Sequence, residues 1–168
     1  MWRRFRSAYN LRIASVHDIA AYILRKQGSM STWKLQKLVY YSQAWHLVWD
    51  EEPLFHARIE AWANGPVVRE LYKRHRGRFT IDRWSAGDPK ALTTDERETV
   101  DAVLASYGKL SGRQLSHLTH AEAPWRDARG DLSPTDRSTR VISPESIQEF
   151  YTALDTDENA KPVDTLTF

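Results

Sequence analysis

Over residues 34–49, Leu35, Leu38, Val39, Ser42, Trp45 and Trp49 recur at three- and four-residue steps. That is the spacing of one face of a 3.6-residue helix. Tyr40, Tyr41, His46, Leu47 and Val48 widen the face until little polar girth remains. A helix apolar on so many sides is expected at the centre of a core, with other elements packed around it. The acidic run Asp50-Glu51-Glu52 and then Pro53 predict its end. Proline has no N–H to donate and steers the residue before it away from α geometry. Residues 53–63 read as short, mixed and extended. Asn64-Gly65-Pro66 reads as a turn that opens a third helix over 66–76, with Pro66 at its first position and Val67, Val68, Leu71 and Tyr72 on its apolar side.

A chain of 168 residues is most simply one domain. At that size it buries about 68–70% of its unfolded surface and needs no staples. There is no cysteine, which excludes disulfides and thiolate metal sites and suits a reducing cytoplasm. Seven Trp and seven Tyr argue for a packed core over disorder. No apolar run approaches the roughly 20 residues that span a bilayer. A formal net charge of +2 does not mark a nucleic-acid binder, which concentrates its basic residues in a stripe. Residues 1–14 form a basic, aromatic arm with four Arg and no acid. It is expected to be a loosely held leader, or to touch phosphate or an acidic protein surface. It lacks the unbroken apolar stretch of a secretory signal.

Capping signals place the other helices. Ser15 with Asp18 has capping-box spacing and opens a helix to residue 27, with Val16, Ile19, Ala20, Ile23 and Leu24 buried and Gly28 ending it. Ser31 or Thr32 caps the central helix. Thr93 with Glu96 opens a helix to residue 109 that buries Val100, Val103, Leu104 and Tyr107, and Ser111 with Gln114 opens a shorter one through 118. Pro124-Trp125 falls within one or two turns over 122–129. Ser143-Pro144 opens the last helix, with Ile142 and Ile147 spaced as a hydrophobic staple and Ile147, Phe150, Tyr151 and Leu154 as its stripe. Phe79, Ile81 and Trp84 alternate as a short strand before the Gly87-Asp88-Pro89 turn. The expected fold is mainly α: a single compact helical domain over 15–154, with about six helices and a small β element near 54–63 and 78–84. Residues 155–168 are polar and acidic and are expected to fray.

Two groups of side chains carry the residue types of acid–base or metal chemistry. His117 and His120 stand at i and i+3, and with Glu122 they would supply two imidazoles and a carboxylate, the donors of a metal-dependent or acid/base hydrolase. The helix-borne zinc motif, however, sets its histidines at i and i+4 with a Glu after the first. A hydrogen-bonding role beside Pro124-Trp125 fits better. His46 and His56 with Glu60 are a second acid–base candidate, although a His on an apolar face is more often a satisfied core residue. A half-buried Glu60 wants an Arg, Lys or backbone donor, and its expected role is to fix the turn before Gly65. No G-x-S-x-G, no phosphate-cradling glycine loop and no Cys nucleophile is present. No catalytic residue, metal or cofactor is therefore assigned.

The corner at 62–66 and the helix after it offer a different function. Its other face and exit are basic: Arg69, Lys73, Arg74, His75, Arg76, Arg78 and Arg83 against Glu70 and Asp82. Such a run is a solvated face or an electrostatic landing surface for an acidic partner. The corner is either a tight turn with a packed Trp or part of a binding surface. On the second reading the contacts are Trp62, Gly65, Pro66, Arg69, Tyr72, Lys73, Arg76 and Arg78, because Trp, Tyr and Arg dominate interface energy. An open helix N-terminus at Pro66 would add N–H groups suited to a carboxylate.

The stretches Lys34-Leu35-Gln36-Lys37-Leu38-Val39-Tyr40-Tyr41, Trp45-His46, Pro53-Leu54-Phe55, Glu60-Ala61-Trp62 and Gly65-Pro66-Val67-Val68, followed by Leu71-Tyr72, resemble the signature of the Panacea domain family. Leu118-Thr119-His120 with Pro124-Trp125 resembles its later motif. The resemblance runs from about residue 15 to residue 151. It implies a phage-associated protein or the antitoxin of a toxin–antitoxin pair, often prophage-linked, that neutralises an adjacently encoded protein toxin by direct binding. A higher-order toxin–antitoxin complex is one form that such pairing takes. A proteolytic adaptor for the toxin is an alternative, since one relative acts so. Some relatives add a helix-turn-helix, and the arm before Ser15 is expected to be too short for one. Nucleic acid and membrane are thus not expected as partners.

Overall fold

The computed structural model describes residues 13–160. In chain order the elements are α1 (Val16–Gln27), β1 (Met30–Ser31), α2 (Thr32–Trp49), β2 (Ile59–Trp62), β3 (Gly65–Val68), α3 (Arg69–His75), β4 (Thr80–Ile81), α4 (Thr94–Tyr107), α5 (Gly112–His120), α6 (Ala123–Arg129) and α7 (Pro144–Thr156). The fold is mainly α, as expected, with seven helices among the described residues and two small antiparallel sheets, β1–β4 and β2–β3. None of these helices is long and apolar enough to cross a membrane. The basic arm falls almost wholly outside the described residues, as do the last eight residues of the tail.

α2 is the axis of the molecule. α1, α4, α5, α7, β1 and β3 all pack on it. Leu35, Leu38, Val39, Tyr41 and Ala44 are fully buried along its length. The caps fall where the sequence puts them. Ser15 and Asp18, Thr93 and Glu96, and Ser111 and Gln114 each form a reciprocal capping box. Each box satisfies backbone N–H groups that a helix start leaves without partners. Ser31 caps α2 and Ser143 caps α7, whose staple residues Ile142 and Ile147 are both buried.

Two expectations need correction. Residues 65–68 do not begin a helix. They form β3, paired with β2 in the register Trp62↔Gly65, Ala61↔Pro66, Glu60↔Val67 and Ile59↔Val68. α3 starts only at Arg69, and the N–H of Val68 before it is taken by Gln36 Oε1 at 2.8 Å. Pro66 therefore sits in a strand, so the anion-binding helix start expected there does not exist. The reason is tertiary, because buried side chains from α2 claim the backbone groups of residues 66–68 in extended geometry. Second, Trp49 does not join the buried face of α2. It is 45% exposed and stacks on Trp45 with ring centroids 5.2 Å apart.

Candidate partner-binding site

Among the buried polar residues of α2 are Gln36, Lys37 and Gln43. A helix enclosed on all sides leaves them no route to water, so each must find a partner inside. Gln36 accepts from the Val68 N–H and donates to Val68 O at 3.2 Å. Gln43 accepts from the N–H groups of Leu54 and Phe55 and donates to Phe55 O at 2.8 Å. Lys37 Nζ donates to Pro66 O at 3.0 Å. Two glutamines seven positions apart thus do for residues 54–55 and 68 what a neighbouring strand would do.

The β2–β3 hairpin is held from its other side by α5 and α6. Arg129 Nη1 donates to Ala61 O at 3.0 Å and Trp125 Nε1 to Trp62 O at 2.8 Å. His120 hydrogen-bonds the backbone of Ala63, and Ser116 Oγ donates to Asn64 O. From Ala61 to Val68, only the carbonyls of Gly65 and Val67 have no side-chain donor of this set. Arg129 is buried, yet its Nη2 donates to Ser133 O and Asp136 O rather than to a carboxylate. On the far edge Ala61 N donates to Arg140 O and Ile142 N to Ile59 O, so residues 140–142 run beside β2. Gly65 closes the corner at φ 112, with a Cβ position 2.6 Å from Lys37 Cε and 2.9 Å from Thr119 Oγ1. Only glycine fits both the angle and the space.

This fastened hairpin sets the residues expected at the interface. Gly65 and Pro66 are buried and shape the corner without offering contact surface. Trp62 and Tyr72 are half-buried and pack edge to face at 4.7 Å. Glu60 lies wholly buried between them and the cations. It accepts from Trp62 Nε1 at 2.9 Å and Arg58 Nη2 at 3.1 Å, with Arg69 Nη1 at 3.7 Å. The Arg partners expected for it are Arg58 and Arg69, while the turn before Gly65 is held by other side chains, Ser116 and His120. Lys73, Arg74, Arg76 and Arg78 are exposed, and among the described residues none is ion-paired, whereas His75, expected on the same basic face, is buried against Gln36 at 2.9 Å.

The chemical alternatives come apart. His117 is exposed, whereas His120 stacks on Trp125 at 4.1 Å and Glu122 is buried, accepting from Tyr41 Oη. Among the described residues no three His, Asp or Glu side chains form a group that could hold a metal. His46 is a buried core residue bonded to Thr99 Oγ1 at 2.9 Å and to Asp50 at 3.0 Å. His56 is exposed, so His46, His56 and Glu60 belong to separate surroundings.

Burial nevertheless perturbs several groups. It pushes the Glu122 carboxyl up to about 7, against which hydrogen bonds from Tyr41 and Tyr151 pull down. It lowers the Lys37 ammonium to about 7. Burial, and then the charge of Lys37, hold His120 below its ordinary range, and its Nε2 is buried with no partner. Tyr40, Tyr41, Tyr107 and Tyr151 are raised, chiefly by burial. The sequence reading missed Lys37, Gln36 and Arg129. For the first two the signal was present, since a polar residue on a helix apolar all round must be buried.

A family model described as "Antitoxin SocA-like, Panacea domain" matches residues 35–126, more than half of the chain. The chain is also similar to "Antitoxin SocA" of Caulobacter vibrioides (strain NA1000 / CB15N), 29% identical over 109 residues. That match covers 57% of this chain and 58% of the relative, so the chain spans little more than half the relative's length. No solved structure matches it.

Proposed function

The chain belongs to the SocA-like Panacea domain family of antitoxins, and on that premise we propose that it neutralises a cognate protein toxin by binding it directly. The toxin is the product of the adjacent gene, and the two meet in the cytoplasm. The reading gives this chain no bond-making step; its work is to hold a rigid exterior against the toxin. The match to an antitoxin family carries the proposal. The exposed cationic face of α3 supports it, because that face stands on a hairpin fastened by five buried side chains and the half-buried His120, and so costs little ordering on binding.

The proposed contact surface is Arg69, Lys73, Arg76 and Arg78, with Trp62 and Tyr72 backing it. Changing Lys73, Arg76 and Arg78 together to Glu, and leaving Arg69 to face Glu60, is expected to abolish rescue of cells that express the neighbouring reading frame, with the far-UV circular dichroism unchanged. Full rescue by the triple variant would remove this surface from the interface. Growth arrest that the unmodified chain does not relieve would remove the antitoxin reading itself.

A further inference from the structure

The exit of α3 runs into the start of α2. Thr32 N donates to Phe79 O at 3.0 Å and Thr32 Oγ1 to Arg78 O at 3.2 Å, extending the β1–β4 pairing of Met30↔Ile81 and Ser31↔Thr80. Two large aromatic residues stand in water at this junction. Phe79 is 80% exposed and Trp33 is 46% exposed, while their sequence companions Ile81 and Trp84 are buried. Gly112, the first residue of α5, packs against the same turn, its Cβ position 3.3 Å from Trp33 Cβ. Arg113 follows it and is exposed. Neither α2 nor α5 places an acid in its first turn. Arg113 lies where the helix dipole disfavours a cation, so local stability does not account for it.

We propose that this junction is the centre of the toxin interface: Phe79 and Trp33 as apolar anchors, rimmed by Arg76, Arg78 and Arg113. The proposal rests on the antitoxin reading and narrows it, moving the anchors from the Trp62–Tyr72 pair to residues that water reaches. An apolar centre with a charged rim is the anatomy of a specific protein interface, and Trp and Arg are its energetic anchors. A rim with cations in excess, Arg76, Arg78 and Arg113 against the exposed Asp82, selects an acidic partner, with carboxylates around an apolar patch that covers the two rings. A second copy is a poorer occupant. Its matching surface would be the Trp49 end of α2, beside Asp50, Glu51 and Glu52, and such head-to-tail contacts form rings or open filaments in place of a closed pair.

The experiment measures affinity between the full chain and the purified product of the neighbouring reading frame. Trp49, 45% exposed at the opposite end of α2, supplies a control of equal exposure. Phe79→Ser and Trp33→Ser are each expected to weaken binding at least tenfold with an unchanged melting temperature, and Trp49→Ser to leave it intact. Arg78→Glu is expected to slow association and flatten its salt dependence. Tight binding by the unmodified chain that persists in the Phe79→Ser, Trp33→Ser double variant overturns this inference and leaves the antitoxin reading standing. Absence of binding and of rescue by the unmodified chain overturns that reading, and this inference with it. Self-association of the chain alone that Phe79→Ser abolishes would assign the junction to a second copy. Salt-sensitive binding of mixed-sequence DNA or RNA lost in the same variant would assign it to nucleic acid. Either result overturns the proposal.

Discussion

Gly65 and Lys37 are fitted to each other. The glycine takes φ 112, and the lysine stem lies where a side chain would go. Gly65→Ala adds both backbone strain and overlap, and should cost about 2–4 kcal/mol in urea unfolding. Lys37→Ala on that background should recover part of the loss, because it opens the space beneath the corner. Glu122 makes a test by pH. Its folded pKa is raised from 4.5 to about 7, so its contribution is fully present below about pH 4.5 and lost as pH rises to about 7. The loss is on the order of 3 kcal/mol. Glu122→Gln, which keeps an acceptor for Tyr41, should remove that segment of the stability–pH curve, read as the difference between variant and unmodified chain. Lys37 acts in the opposite sense. Lowered to about 7 from 10.5, it destabilises the fold most below about pH 7, and stability recovers as pH rises from there toward 10.5.

At the scale of elements, the irregular segment between α2 and β2 is held by α2 side chains. Gln43 alone satisfies three backbone groups, on Leu54 and Phe55. Gln43→Leu keeps the volume roughly the same and leaves all three buried groups without partners. Each such group costs about 1–3 kcal/mol, so the variant should lose several kcal/mol by chemical denaturation. Gln43→Glu should fare little better, since it keeps the acceptor and loses the donor. α3, by contrast, has only Leu71 and His75 buried and Tyr72 half-buried, and presents Arg69, Glu70, Lys73 and Arg74 outward. It is built as a display surface, and Lys73 and Arg74, which pair with no described acid, tolerate substitution without loss of fold.

Across the whole molecule, stability is graded from the axis outward. α2 touches elements from nearly the full length of the described chain, and its midsection is closed to water. Amides of residues 36–47 should exchange with solvent only through global unfolding, and those of α3 and the last turns of α7 through local opening. Hydrogen exchange by mass spectrometry reads this directly. Equal protection in α2 and α3 would mean that the display helix is part of the cooperative core.

The helices, their caps and the central place of residues 34–49 were legible in the chain, because periodicity and capping are local and need no knowledge of neighbours. Glu60 with its arginines was legible for a similar reason, as a carboxylate between apolar residues demands a cation. Tertiary structure alone decided that residues 65–68 form a strand, that Lys37 and Arg129 fasten the hairpin, and that Phe79 and Trp33 stay in water. Those outcomes depend on groups far apart in sequence, such as Lys37 with Pro66 and Arg129 with Ala61. A buried donor takes whichever carbonyl the packed fold brings within about 3 Å, and neither composition nor spacing records which one that is.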